Sequence, residues 1–332
     1  MPTISASVVG VLPVVCRSTM SLAAIRQEMM ARRPDLASHT GGWASTSDHQ
    51  SNLKIPGMAP PVSDPELVPA SGGVPETLRA RFYFWQTAPP GLQAQPGYNA
   101  LLVRRLDAVD VVIHRVGADK VGILTTSRSR QLLQRRDGVF SALDEIFQTA
   151  DASIKIDRRS SAFELLDADI FLWLAVQVRD NKQIASNLEL DQVAGVSGRD
   201  SDNRVADLRS GVDFTRPNFL TAVAESDTLG PIDISFVHDL SGSRRSYALK
   251  LWIDGGFTIA ASEINIPAIL DTRDLMITAT LELAFVLIPQ INALYVSDGN
   301  WPAHRLEIIE AAMEELVARY QAAKAALQAR KA

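Results

Sequence analysis

The sequence predicts an α+β protein in which an antiparallel sheet packs against long C-terminal helices, preceded by an irregular N-terminal arm. Three observations carry this. Twelve of the seventeen prolines fall within the first 96 residues, where they interrupt regular structure. Apolar and polar side chains alternate strictly through much of 231–261, the pattern of a three-stranded meander. Helical spacing then takes over from 271 to 330, broken once at VSDGNWP. With 46% hydrophobic and 21% charged residues, the chain can bury one large core or two modest ones.

Residues 1–78 form the predicted arm. Its opening stretch, VVGVLPVVC, has the apolar character of a signal-peptide core, but no Lys or Arg precedes it and no small-residue cleavage site follows, so it is not expected to be a leader. One short helix interrupts the arm at SLAAIRQEMMARRP (21–34), with Ser21 as its cap and Leu22, Ile25, Met29 and Met30 on one face. The segment KIPGMAPPVSDPELVPASGGVPE (54–76) is too rich in proline and glycine for regular structure. The arm keeps enough Val, Leu and Met to lie against its own domain or a neighbouring subunit.

Residues 79–332 are expected to form a single α+β domain, with a sub-boundary near 180–230. LRARFYFWQT (78–87), VDVVIHRV (109–116) and KVGILTTS (120–127) read as strands, GVFSALDEIFQTA (138–150) as a helix and ASIKID as a short strand. SSAFELLDADIFLWLAVQVRD (160–180) reads as a central helix, apolar on almost every face, with Ser160 or Ser161 and Glu164 as a capping box. After weakly periodic residues that include NLELDQVAGVS come the three strands of the meander, IDISFVH, SYALKLWID and FTIAA. The polar stretch HDLSGSRRSY (238–247) between the first two is then a hairpin tip, with Asp239, Ser241, Gly242 and Ser243 as turn formers. Two helices close the chain, at 271–296 and 302–330, the second with Asn300 as cap and Pro302 in its first turn. The longest apolar run, MITATLELAFVLIP (276–289), has fourteen residues, contains Glu282 and ends at a proline. A bilayer crossing takes roughly twenty. A buried helix is expected there, and no membrane partner.

One cysteine makes neither an internal disulfide nor a thiolate zinc site, which points to a reducing cytoplasm. No phosphate loop, dinucleotide fingerprint, HExxH or GxSxG is present, and the histidines at 39, 49, 114, 238 and 304 show no metal-ligand spacing. No cofactor is therefore expected.

Three constellations remain. The net charge of −5 is segregated: residues 79–159 carry thirteen basic against eight acidic side chains, and residues 160–332 carry fifteen against twenty-four. The basic candidates are Arg128, Arg130, Arg135, Arg136, Arg158, Arg159, Arg244 and Arg245, whose planar guanidinium groups suit phosphates or a partner's carboxylates. Phe82, Phe84, Tyr83 and Trp85 are the nearest aromatics able to stack on bases. The simpler account is that two oppositely charged parts of one fold neutralise each other.

Glu164, Asp167 and Asp169 form an acidic cluster at the start of the 160–180 helix. Glu164 and Asp167, three apart, share a helix face on which two carboxylates can hold a divalent metal for phosphodiester hydrolysis. The helix dipole alone also favours acids there. The meander carries a partial likeness to PD-(D/E)xK nucleases in Asp233 and Lys250, but Ala248 stands where a second acidic ligand belongs.

The last helix places Leu306, Ile309, Met313, Leu316, Tyr320, Ala323 and Leu327 at alternating spacings of three and four, the seam of a coiled coil. A partner helix or a second copy would use it, although a helix packed on its own domain shows nearly the same stripe. Tyr320 and Ala323 make a poor self-zipper. The expectation is a non-catalytic subunit of a cytoplasmic assembly that binds protein partners, or itself, through this helix, and nucleic acid through the arginines. The alternative is a divergent metal-dependent nuclease built on the acidic cluster, the one reading that requires a divalent metal.

Overall fold

In a computed structural model of the chain, which describes residues 6–35, 40–43, 63–87, 104–199, 205–209, 221, 228–240 and 242–330, the apolar stretch Val8–Arg17 forms a strand, β1. Read from the sequence as part of an irregular arm, this segment pairs antiparallel with β5 (Lys120–Thr125), Val14 opposite Ile123 and Cys16 opposite Val121. Nine of the twelve early prolines lie from residue 56 onward, so the density that breaks structure there does not reach back to β1. Pro13 is accommodated opposite Leu124. Ser21 caps α1 (Leu22–Ala31) as expected, accepting from the Ala24 amide at 3.1 Å.

The chain divides into two units, Met1–Phe163 with Ile269–Val286, and Glu164–Ala268 with Leu287–Ala332. Both are mixed α and β, with antiparallel strands throughout. In the first, β2 (Glu66–Val68), β3 (Thr77–Thr87), β4 (Arg104–Arg115), β5 and β1 lie side by side in that order, and β6 (Ile156–Asp157) pairs with β1. Leu78, Ala80, Phe82 and Phe84 of β3 share one sheet face with Val109, Val111 and Ile113 of β4. That face buries Leu22, Ile25 and Met29 of α1 and Val139, Phe140, Leu143, Ile146 and Phe147 of α3 (Val139–Phe147) in one core. Each such aliphatic or aromatic side chain contributes roughly 1.5–3 kcal/mol. A single turn, α2 (Arg130–Leu133), adds Leu133.

In the second unit the order is β12 (Phe257–Asn265), β11 (Ser243–Leu251), β10 (Thr228–Leu240), β8 (Leu188–Arg199) and β7 (Gln183–Ala185), with β9 (Val205–Arg209) on β8. The meander is therefore present, and longer than its alternation suggests. The pairing of β10 with β11 runs through HDLSGSRRSY itself: His238 faces Arg245, Asp239 faces Arg244 and Leu240 faces Ser243. Only the turn between Leu240 and Ser243 leaves the ladder. Gly242 takes φ +79° there, where a side chain would be strained, and its amide donates to the Asp239 carboxylate at 2.9 Å. Ser241 lies outside the described residues.

The helix expected over 160–180 begins only at Asp169, as α4 (Asp169–Asp180). The preceding amides are committed to other acceptors: Phe163 donates to Ser161 Oγ, Leu165 to the Ile253 carbonyl, Leu166 to Asn292 Oδ1 and Asp169 to Asp167 Oδ1. Once begun, α4 buries every residue from Ile170 to Val176. Thr272–Ser297 is helical throughout, as α5 (Thr272–Glu282), a π turn (Leu283–Leu287) and α6 (Ile288–Ser297). It is long and apolar enough to cross a bilayer, which the fourteen-residue run alone did not suggest, and 61% of its most apolar window is buried within the protein. The last helix, α7 (Trp301–Ala329), follows Asn300 and carries Pro302 in its first turn.

Candidate functional site

α7 is 29 residues long, and only Trp301 and Ala312 are buried on it. One side of its first half is anchored: Trp301 and Ala312 are each 4% exposed, and Arg305 pairs with Asp169 of α4 at 2.6 Å. Most of the predicted seam faces outward from the adjoining side. Leu306 is 57% exposed, Met313 47%, Tyr320 69% and Leu327 60%, with Ile309 and Leu316 half-buried between them. Val317, which a strict seam leaves out, is 54% exposed beside it and widens the stripe. An amphipathic helix normally buries such a stripe against its own domain. Scattered exposed apolar residues need no explanation, but five on one side of one helix form a contiguous surface.

The acidic trio lies in the same unit and is differently employed. Since the helix starts at Asp169, Glu164 and Asp167 do not share a helix face. Asp167 accepts from the Asp169 amide at the start of α4 and, at 2.6 Å, from the Tyr295 hydroxyl, and Asp169 holds Arg305. Burial, then the hydrogen bond and charge of Asp167, push the Tyr295 phenol well above its usual range. Trp173 donates to Asp298 at 2.9 Å alongside. These carboxylates tie α4 to α6 and the start of α7. Among the described residues, no group of three His, Cys, Asp or Glu side chains is placed to share a metal ion. Asp233 and Lys250 are direct cross-strand neighbours joined by a 3.5 Å ion pair, and Ala248 faces Ser235.

No family model matches the chain, and no curated protein matches it. Among solved structures it is similar to the di-domain ARO/CYC StfQ from the steffimycin biosynthetic pathway, at 10% identity and a TM-score of 0.16, over 93% of this chain and 99% of that one. So slight a likeness carries nothing over to this chain.

The candidate arginines are divided between the two units. Arg128, Arg130, Arg135, Arg136, Arg158 and Arg159 belong to the first unit, Arg244 and Arg245 to the second. Arg128 donates to the Val11 carbonyl at 3.0 Å, and Arg135 makes a two-pronged contact with Asp137 at 2.9 and 2.8 Å. Arg158 lies over the Phe140 ring and 3.6 Å from Asp144, and Arg244 pairs with Glu189 at 3.0 Å. Arg136 and Arg159 are exposed, Arg245 is half-buried, and the Arg130 side chain lies outside the described residues. Phe82, Tyr83 and Phe84 are all buried, leaving of that aromatic run only the half-buried Trp85 near the surface.

Two polar clusters escaped the sequence reading. The second face of the first unit's sheet buries Arg79, Arg81 and Tyr83 of β3 with His114 of β4, and Arg81 pairs with Asp110 at 2.7 Å. Their signal was present: Arg79, Arg81, Asp110 and His114 occupy the alternate positions of strands whose other positions are apolar. In the second unit, Gln290 donates to Asn187, whose side-chain amide lies 3.1 Å from the fully buried His238. This chain of polar groups links the β7–β8 turn, β10 and α6, and nothing in local sequence brings the three together.

Proposed function

We propose that this chain is a non-catalytic subunit of a cytoplasmic assembly that binds a protein partner along α7. The observation that carries the reading is the exposed stripe of Leu306, Met313, Val317, Tyr320 and Leu327, which runs beside the side of α7 that buries Trp301 and Ala312. Covering that stripe is favourable at roughly 25 cal/mol per Å² of apolar surface. Each competing constellation has intramolecular work instead: Asp167 and Asp169 hold Tyr295 and Arg305, and Arg128, Arg135, Arg158 and Arg244, half of the candidate arginines, hold carbonyls or carboxylates of this chain.

The test compares the tagged full chain with Leu306→Glu/Met313→Glu/Tyr320→Glu. All three positions are exposed, so the substituted chain is expected to fold with unchanged thermal stability. The intact chain should elute as an assembly, with itself or with a co-purifying protein in fixed proportion, and the variant as a lone monomer by light scattering. A full chain that is strictly monomeric and recruits nothing, or a variant that assembles equally well, overturns the reading.

A further inference from the structure

We infer that the partner on α7 is a second copy of this chain, paired antiparallel along the same helix; this rests on α7 being the binding surface. Charge is distributed unevenly along the helix. Glu307, Glu310, Glu314 and Glu315 lie in its first half with Arg305, which Asp169 holds, and Arg319 and Lys324 lie in its second half, with Arg330 just past its end. Two antiparallel copies bring each acidic half against a basic half and oppose the helix dipoles, whereas parallel copies stack like on like.

Side-chain size selects the same arrangement. Parallel pairing would set Tyr320 against Tyr320 and Ala323 against Ala323, a crowded layer followed by an empty one, and would bring Arg319 beside the partner's Lys324. Antiparallel pairing with the two-fold axis near residue 318 replaces these with complementary layers. Ile309 meets the partner's Leu327, Met313 meets the partner's Ala323 and Leu316 meets the partner's Tyr320, each twice. Flanking the seam, Glu310 falls opposite the partner's Lys324, also twice, and Val317 meets the partner's Val317 on the axis. This gives Val317 an occupant and uses the two residues that make a poor parallel zipper. Arg319 approaches the partner's Arg319, but its guanidinium is held by Glu315 of its own chain at 2.7 Å.

The seam from Leu306 to Leu327 is about 32 Å long at 1.5 Å per residue. Two strips about 10 Å wide amount to roughly 700 Å² in total, below the standard size for a stable complex. Association is therefore concentration-dependent, in the micromolar range.

The experiment is sedimentation equilibrium of the full chain from about 1 to about 200 µM, with oxidative cross-linking of single-cysteine variants. Val317→Cys should form a disulfide-linked dimer, because residue 317 meets itself on the axis. Leu327→Cys should not, because residue 327 faces 309. Glu310→Lys should weaken the dimer about tenfold, and Glu310→Lys with Lys324→Glu should return it to within about threefold of the original. Cross-linking through Leu327→Cys instead of Val317→Cys would show a parallel pair and overturn the inference. Failure of the charge exchange to rescue would overturn this register. A monomer at every concentration overturns self-pairing; if the stripe still captures another protein, the assembly reading stands without it, and if it captures nothing, both fall.

Discussion

His114 offers the sharpest test of the polar layer beneath the first unit's sheet. Its ring lies edge-on to Phe285 with centroids 4.7 Å apart and 5.4 Å from Phe163, across from the fully buried Thr77. Gly122 makes room for it: a Cβ there would lie 2.1 Å from His114 Cε1. Burial lowers the imidazole pKa from 6.5 to about 4. The unfolded chain therefore takes up this proton first, so the stability from a neutral His114 is fully present above pH 6.5 and is lost as pH falls towards 4. At 1.36 kcal/mol per pH unit the complete loss is about 3 kcal/mol, with about 2 kcal/mol already gone at pH 5. Urea unfolding at pH 7.5 and pH 5, on the wild-type chain and on His114→Gln, isolates the term, since only the wild type carries it. Titrating the His114 Cε1 proton signal by NMR checks it directly, and Gly122→Ala should raise the midpoint by displacing the ring. A wild-type midpoint near 6.5, or equal pH dependence in both proteins, would refute the argument.

Three further outcomes follow from buried groups. Cys16 is fully buried and its thiol is pushed up to about 12, by burial first and then by the Asp144 charge, so Ellman's reagent should label the native chain negligibly and the urea-unfolded chain stoichiometrically. Its inertness leaves an introduced cysteine on α7 free to report alone. Asp110→Ala should cost about 3–5 kcal/mol by removing the 2.7 Å carboxylate partner of the Arg81 guanidinium, whose side chain is 2% exposed, while replacing both with Arg81→Met and Asp110→Leu should cost far less. Asp167→Asn removes a charge that favours the neutral phenol, so the alkaline absorbance titration of Tyr295 should move to lower pH; an unmoved titration would mean that the Asp167 charge does not contribute.

Much of this fold was legible because its strands and helices carry strong periodicity. Ser21, the 231–261 alternation and Pro302 mark their elements correctly, and HDLSGSRRSY contains the hairpin turn it suggested. The misreadings share a cause, since each concerns hydrogen bonds made by residues far apart in sequence. Residues 160–168 have helical spacing, but Leu165 and Leu166 donate to Ile253 and Asn292 instead of closing a helical turn. Val8–Arg17 is apolar at almost every position and contains Pro13, so it shows no strand alternation until β5 supplies its partner. Buried charge is harder still, because Arg81 looks like a surface arginine until Asp110 appears opposite it in register.

The same distinction bears on function. A polar side chain acquires its role from whatever lies across from it, and in this protein Asp167, Asp169, Arg128, Arg135, Arg158 and Arg244 all find acceptors or donors within the chain. An apolar stripe has no comparable local satisfaction; it is either covered or exposed. On α7, Leu306, Met313, Tyr320 and Leu327 are each about half exposed or more. The seam spacing that suggested a coiled coil is equally compatible with packing on the chain's own domain, and α7 divides it, with Ile309 and Leu316 half-buried and Leu306, Met313, Tyr320 and Leu327 exposed. The objection raised by Tyr320 and Ala323 holds for parallel helices alone, because reversing one copy places the large residue opposite Leu316 and the small one opposite Met313. In that register the volumes along α7 complement each other from Ile309 to Leu327 and Glu310 meets Lys324, and it is this charge pair that Glu310→Lys should break and Lys324→Glu restore.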